Sequence, residues 1–321
     1  MSWEKDPLFA KSRLFFSYAF AVPREDPRFG LFAAMGLELL ARAAIASVSP
    51  TLLAEPDDEH KHLLHALGRG ASRVAKRSIG TSRVLALCQQ LFPDFTADDF
   101  KSSLALVNRR NDELHTGASA FTEYTTQKWL TGFYRCCKIL SAACQENLIS
   151  LFGEEESGVA EKTIQEYDEQ VLGKVKSEIA AHKKVFEGLG GEERAAKSGA
   201  AEQNSNTLAY NNHHRVSCPA CNSVATVDGT PFGNLTITQD EEEIVTQQAV
   251  MPERFNCIAC NLKFNGYSEL VAAEMGDQYT RTIRYSPEDY YGLVNPDDID
   301  QITELAENHY EEMHMMEYNN D

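Results

Sequence analysis

Residues 109 to 117 read Arg-Arg-Asn-Asp-Glu-Leu-His-Thr-Gly, so three residues separate the Arg110-Asn111 dipeptide from His115 at an expected helix end. A guanidinium that is always cationic binds phosphate in bidentate fashion, and an imidazole that titrates near neutrality moves a proton to or from a ribose hydroxyl. That pairing suits RNA cleavage. In a regular helix Arg110 and His115 stand about 140° apart, whereas Asn111 and His115, at i and i+4, share a face. Convergence of all three needs the helix to end at Gly117 so that His115 swings round, or a second copy of the motif across a dimer. A purely structural role is also open, with His115 as a cation at a helix C-terminus and Arg109 paired to Glu113.

The second constellation is metal-binding. Cys218-Pro219-Ala220-Cys221 and Cys257-Ile258-Ala259-Cys260 are C-x-x-C pairs, a spacing that lets two thiolates of one turn face the same ion. Two such turns complete a tetrahedral structural Zn2+ site, with no open position for water or substrate. Zinc binding of roughly 10 to 16 kcal/mol suffices to fold so small a module. Asn222 and Asn261 follow the second cysteine of each pair, where a left-handed backbone is expected. A redox role leaves the second pair unexplained. The interval from 222 to 256 exceeds ordinary ribbon spacing, and its DGTPFGN and DEEE stretches are expected as inserted turns. Ile244 to Val250 and Tyr279 to Tyr285 alternate like strands, while His213 and His214 are expected in a loop.

Helices must position these groups. Gly30 to Val48 is apolar at helical spacing and stops before Pro50. Asp57 to Leu67 is expected as a short helix ended by Gly68; its His60, His62 and His65 lack an evident third-ligand geometry and read as surface or core-edge residues. Ser82 to Leu91 and Asp98 to Leu114 form two more helices, the second capped at Thr96 or Asp98. Thr125 to Phe152 reads as one long periodic segment. The fold class is therefore mainly α: a helical domain over 1–153, a helical connector and flexible linker over 154–210, a small β-rich zinc ribbon over 211–285 and an acidic tail over 286–321. Within the connector, Val159 to Phe186 is helical, and Gly188 to Thr207 has little to bury and reads as the linker.

The net charge of -18 is unevenly spread. Residues 1 to 150 carry 18 Lys and Arg against 16 Asp and Glu, while 286 to 321 carry 11 acids and no base. Arg69, Arg73, Lys76, Arg77 and Arg83 fall in a stretch without an acid and, with Arg109, form the candidate RNA-binding surface. An acidic ribbon argues against a zinc-dependent DNA-binding regulator. The tail, with Ile302, Leu305, His309 and Met313 at one-face spacing, is expected either to solubilise the chain or to shield the positive helical domain. No signal peptide or membrane span is read, Cys88, Cys136, Cys137 and Cys144 lie in apolar helical contexts, and cytoplasmic localisation is expected.

Over nearly half the chain the order of elements resembles the HEPN family: an apolar helix containing Leu37-Glu38-Leu39-Leu40, a short His-rich helix, the Arg-Asn to His motif closing a later helix, then a long final helix. Active members of that family are metal-independent ribonucleases that work as dimers, many of them toxins or antiviral effectors. The resemblance implies a homodimeric endoribonuclease in which Arg110 binds the scissile phosphate, His115 is general acid or base and Asn111 orients one of them. It also implies 2',3'-cyclic phosphate and 5'-hydroxyl products. The partners are then RNA, a second copy, and a target or protein bound through the ribbon or tail. Inactive members serve as dimerisation or RNA-binding modules, so a non-catalytic scaffold is the alternative.

Overall fold

The computed structural model describes residues 3–70, 76–210, 213–239, 243–292 and Thr303. Arg73, residues 240–242 of the DEEE stretch and the proposed stripe of the acidic tail lie outside the described residues. The chain forms two compact units, one of Met1–Gly233 with Val250–Tyr279, the other of Asn234–Ala249 with Thr280–Asp321.

The first unit begins with a helical bundle: α1 (Lys5–Phe20), α2 (Pro27–Val48), α3 (Lys61–Ala66), α4 (Thr81–Leu91), α5 (Ala97–His115), α6 (Ala120–Glu123), α7 (Leu130–Ala143), α8 (Leu148–Phe152) and α9 (Glu154–Glu187). α2 is its centre. Asp26 accepts the Arg28 backbone N–H at 2.9 Å and Pro27 sits at the first helical position, so the start is defined by capping and by a residue that has no N–H to waste. By length and composition α2 could also cross a membrane, but here its Phe29, Leu37, Leu40 and Ile45 are fully buried in the bundle. A Cβ at Gly36 would lie 2.4 Å from the Phe16 ring, so glycine there lets α1 seat its aromatic side chain directly on α2. Phe16 in turn meets Phe133 and Phe152 edge-on, joining α1, α7 and α8.

The expected continuous segment from Thr125 to Phe152 is broken. A 3-10 turn, Thr126–Lys128, precedes α7, and the chain turns again at Gln145 (φ 62°) before α8. The break has a local cause: Asn147 accepts the Ser150 N–H at 2.8 Å while Ser150 Oγ accepts the Asn147 N–H at 3.2 Å, a reciprocal cap that starts a new helix within an otherwise apolar run. α3 is likewise shorter than expected. Asp57 caps it from outside, accepting the N–H groups of Lys61 and His62, and Gly68 (φ 69°) follows its end.

α9 leaves the bundle through Gly153 (φ 86°), with Glu154, Glu155 and Glu156 at its positive end. Glu156 also binds Arg24 and the Tyr134 hydroxyl. Ala160 and Ile164 belong to the bundle core; Val175 and Phe186, further along the same helix, belong to the core of the cysteine module. The stretch from Gly188 to Thr207, expected as a flexible linker, is instead mostly α10 (Gly191–Tyr210). Its apolar stripe is too thin to show in composition: Ala201 is buried with Ser205, and Ser198 Oγ lies 2.8 Å from Ser223 Oγ beside the first knuckle.

The strands are β1 (His214–Ser217), β2 (Val224–Gln239), β3 (Ile244–Asn256), β4 (Lys263–Asn265) and β5 (Tyr279–Tyr285), with α11 (Tyr267–Ala272) after β4 and α12 (Pro287–Tyr291) after β5. The order is β1-β2-β3-β4, with β5 pairing β3; β1 to β2 and β3 to β4 are antiparallel. Phe255 opposes Phe264 in the core of the cysteine module. The DGTPFGN stretch, expected as an inserted turn, runs inside β2. At Gly229 a Cβ would stand 1.8 Å from the Met251 carbonyl oxygen, so this glycine serves close strand approach. His214, expected in a loop, starts β1 and stacks on Tyr279 at 4.5 Å. In the second unit Ile244 is buried and Thr246 Oγ1 donates to the Ile283 carbonyl at 3.4 Å.

Candidate functional sites

The four cysteines converge. Sγ of Cys218 lies 3.6 Å from Sγ of Cys260, Sγ of Cys221 lies 3.6 Å from Sγ of Cys257, and all four ligand atoms fall within 4.8 Å of one another. Four thiolates about 2.3 Å from a tetrahedral zinc stand about 3.8 Å apart, whereas a disulfide needs about 2 Å. The set can hold a metal ion such as zinc.

Both knuckles share one backbone plan. The Cys218 N–H donates to the Ser223 carbonyl and the Cys257 N–H to the Leu262 carbonyl, each at 2.9 Å. Asn222 and Asn261 follow with φ of 58° and 62°, the left-handed geometry expected at these positions. Three of the thiols act on one another: hydrogen bonds from Cys257 and then Cys260 pull the Cys218 thiol down, while the bond to Cys218 is the main cause that pushes the Cys257 and Cys260 thiols up. Outside the cluster, burial raises the Cys88, Cys136 and Cys137 thiols and pushes Cys144 up to about 12. They pack as small hydrophobes.

The four-cysteine cluster is tied to the helices at several points. His182 Nδ1–H on α9 donates to the Cys260 carbonyl at 2.7 Å, and Lys174 on the same helix pairs with Glu269 on α11 at 2.6 Å. Asp98, in the first turn of α5, accepts the Tyr267 N–H at 3.1 Å, and Arg135 of α7 donates to Ser268 Oγ at 3.0 Å. Asp98 thus caps α11 from another element.

α5 carries the Arg-Asn to His motif. A reciprocal cap between Thr96 and Asp99 fixes its start, and it remains helical through His115, ending when the Thr116 N–H donates to the Asp112 carbonyl at 3.0 Å. Helicity through His115 means that Gly117 does not swing the imidazole round: Asn111 and His115 are exposed, while Arg110 turns inward. Arg110 Nη2 donates to Glu38 Oε2 at 2.6 Å, and its Nε is buried with no hydrogen-bond partner among the described residues. Within one chain, then, the three side chains do not meet around a common point. Arg109 pairs with Asp112 at 3.7 Å, rather than with Glu113, and its guanidinium lies 5.4 Å from the centre of the Tyr124 ring.

Glu38 is the residue that sequence reasoning left without a role, although an acid amid the buried Leu37, Leu40 and Ala41 signals a required partner. Its Oε1 accepts from Arg42 Nη2 at 3.0 Å, one helical turn along α2. Burial pushes the Glu38 carboxyl up, but the Thr81 hydrogen bond and the charges of Arg110 and Arg42 outweigh it, leaving the group below its ordinary value. Arg42 also donates from Nη1 to Ser78 Oγ at 3.0 Å and from Nη2 to the Ile79 carbonyl at 3.1 Å. It thereby pins the end of the basic segment to α2 beside the Glu38–Arg110 pair. Arg69, Arg77 and Arg83 are exposed and Lys76 is half-buried.

Of the three histidines at α3, His62 is buried and its Nδ1 accepts the Arg77 N–H at 3.4 Å, while His65 meets Trp3 edge-on. Among the described residues the only His, Cys, Asp and Glu cluster able to hold a metal is the four-cysteine set. No family model, curated protein or solved structure matches the chain.

Proposed function

We propose that the chain is an endoribonuclease of the HEPN type, working as a cytoplasmic homodimer, with structural zinc in the four-cysteine module. One observation carries this reading: Glu38 orients Arg110 beside a basic segment pinned by Arg42, next to an exposed Asn111–His115 face at the end of the same helix. Two copies meeting at the ends of α5 would supply the convergence that one chain lacks.

In that arrangement Arg110 binds the scissile phosphate and stabilises charge on the phosphorane. His115 takes the proton from the 2'-hydroxyl or gives one to the leaving 5'-oxygen, and Asn111 orients His115 or the phosphate. The 2'-oxygen is the nucleophile, so the chemistry asks no metal to generate one. The closed set of four cysteines leaves zinc the task of folding the module. A toxic or host-defence role follows from the resemblance to that family.

The test is a pair of oligonucleotides identical but for one 2'-deoxy sugar at the cleavage position. The ribo strand yields a 2',3'-cyclic phosphate and a 5'-hydroxyl; the deoxy-substituted strand stays intact at that position. Cleavage of both, or products carrying a 5'-phosphate, would overturn the mechanism.

The 2.6 Å Glu38–Arg110 bond favours one second reading, because it neutralises the cation that should receive phosphate. In that reading the helical domain is a non-catalytic dimeric scaffold or RNA-binding adaptor and Arg110 is a packing residue. Absence of any cleavage by a dimeric, zinc-loaded protein selects it.

A further inference from the structure

A cleft of about 820 Å³ lies away from the Glu38–Arg110 pair, formed by α5, α7, α9 and the segment from β4 into α11, all within the first unit. Its walls carry Lys101, Lys128, Lys174 and Arg135, together with the rings of Tyr124 and Tyr167. We propose that this cleft is the binding path of single-stranded RNA leading to the α5 motif; the inference rests on the ribonuclease reading and names the form of its substrate.

The charges in the cleft are not equally available. Its acids are engaged by protein donors: Asp98 by the Tyr267 N–H at 3.1 Å, Asp99 by Thr96 Oγ1 at 2.7 Å, and Glu269 by Lys174 at 2.6 Å and the Asn265 N–H at 3.0 Å. Two of the cations are held loosely. Lys101 is 74% exposed and stands 3.9 Å from Asp98, and among the described residues exposed Lys128 donates only to the Glu123 carbonyl, at 3.4 Å. An incoming polyanion therefore meets two exposed ammonium groups, while the carboxylates of the cleft are held by protein donors, in a chain whose net charge is -18.

The aromatic groups select the form of the nucleic acid. Tyr167 is 41% exposed on α9, a stacking face for an unpaired base. Tyr124 is half-buried, and the guanidinium of Arg109 lies over its ring at 5.4 Å. Arg109 adjoins Arg110 in the sequence of α5, so the Arg109–Tyr124 contact links the cleft to the helix that ends in His115. Gln127 and Gln170 add neutral donors and acceptors at the rim. Separate stacking faces and spaced ammonium groups suit unpaired bases on a flexible backbone rather than a base-paired helix.

The experiment measures binding of a fluorescent single-stranded RNA to the full zinc-loaded chain, in buffer freed of other divalent cations, by anisotropy over a range of salt. The variants are K101Q/K128Q and Y167A, each checked for zinc content and thermal midpoint; Lys174 is left alone because it also holds Glu269. The double variant should flatten the slope of log affinity against log salt by about 1.4, from about 0.7 per lysine on a single strand. Y167A should weaken binding at least about fivefold, and duplex RNA should compete poorly. Unchanged affinity and slope in both variants would overturn the proposal, as would equal competition by duplex. Cleavage is scored on the same samples. Binding that follows the cleft without any cleavage keeps the cleft and removes the ribonuclease; His115-dependent cleavage with cleft variants that bind as wild type does the reverse.

Discussion

Glu38 on α2 accepts a hydrogen bond from Arg110 Nη2 on α5 at 2.6 Å, and the same carboxylate holds Arg42 through its other oxygen. One acid thus compensates two guanidinium groups near the core, and it fixes the direction in which the Arg of the α5 motif points.

Replacing that acid should change stability with a defined pH dependence. Glu38 titrates below its ordinary value near 4.5, so its contribution is complete above that pH and is lost as pH falls through the depressed folded value. Glu38→Gln should therefore lower stability at pH 7 by about 1.5 to 3 kcal/mol, the worth of hydrogen bonds to a charged group. The gap between variant and wild type should narrow below about pH 4, as measured by denaturant melts across pH. A gap that stays constant from pH 7 to pH 3 would show that the ionised carboxylate contributes nothing.

The cysteine module should fold with its metal. Purified chain should carry one zinc, and Cys257→Ser should lose it together with the protection of the core around Val175, Phe186 and Phe255. Because ligation needs thiolates, retention of zinc should weaken as pH falls. Metal analysis beside hydrogen exchange checks both statements. Full protection of Phe255 after metal loss would mean that the module needs no ion.

Asp98 links the start of α5 to the module by capping α11. Asp98→Ala should cost about 1 kcal/mol and raise amide exchange at Tyr267, whose N–H it accepts at 3.1 Å. Unchanged exchange there would remove the cap.

α10 provides a test of helix against linker. Ala201 is buried and Ala200 is exposed. Ala201→Leu should overpack the contact and cost about 1 to 3 kcal/mol, while Ala200→Leu should be near neutral, both read from thermal midpoints. Equal tolerance of the two substitutions would restore the linker reading.

These cases show what kind of information a sequence carries. The core of α2, the caps at Thr96 and the left-handed Asn222 and Asn261 were legible because each depends on local chemistry: apolar spacing, a side-chain oxygen near free N–H groups, a tight turn after a ligand. The four-cysteine cluster was legible because metal ligation imposes spacing. Other features depend on tertiary partners. The break before α8 hides in an apolar run because Asn147 and Ser150 cap each other without altering hydropathy. α10 buries a stripe of small residues that composition cannot distinguish from a linker, and DGTPFGN reads as a turn until Met251 of the neighbouring strand is seen against Gly229. The inward turn of Arg110 required Glu38, 72 residues away, to be placed beside it.

The ribonuclease reading depends above all on His115. Full-length, zinc-loaded protein should be incubated with fluorescent single-stranded RNA in buffer freed of other divalent cations, wild type beside His115→Ala of matched zinc content and thermal midpoint and beside Arg110→Ala of matched zinc content. Wild type should cut, and the His115→Ala variant should be slower by at least about 100-fold, the usual worth of a general acid or base. Intact RNA with wild type, or a His115→Ala variant that cuts at the wild-type rate, would contradict the account.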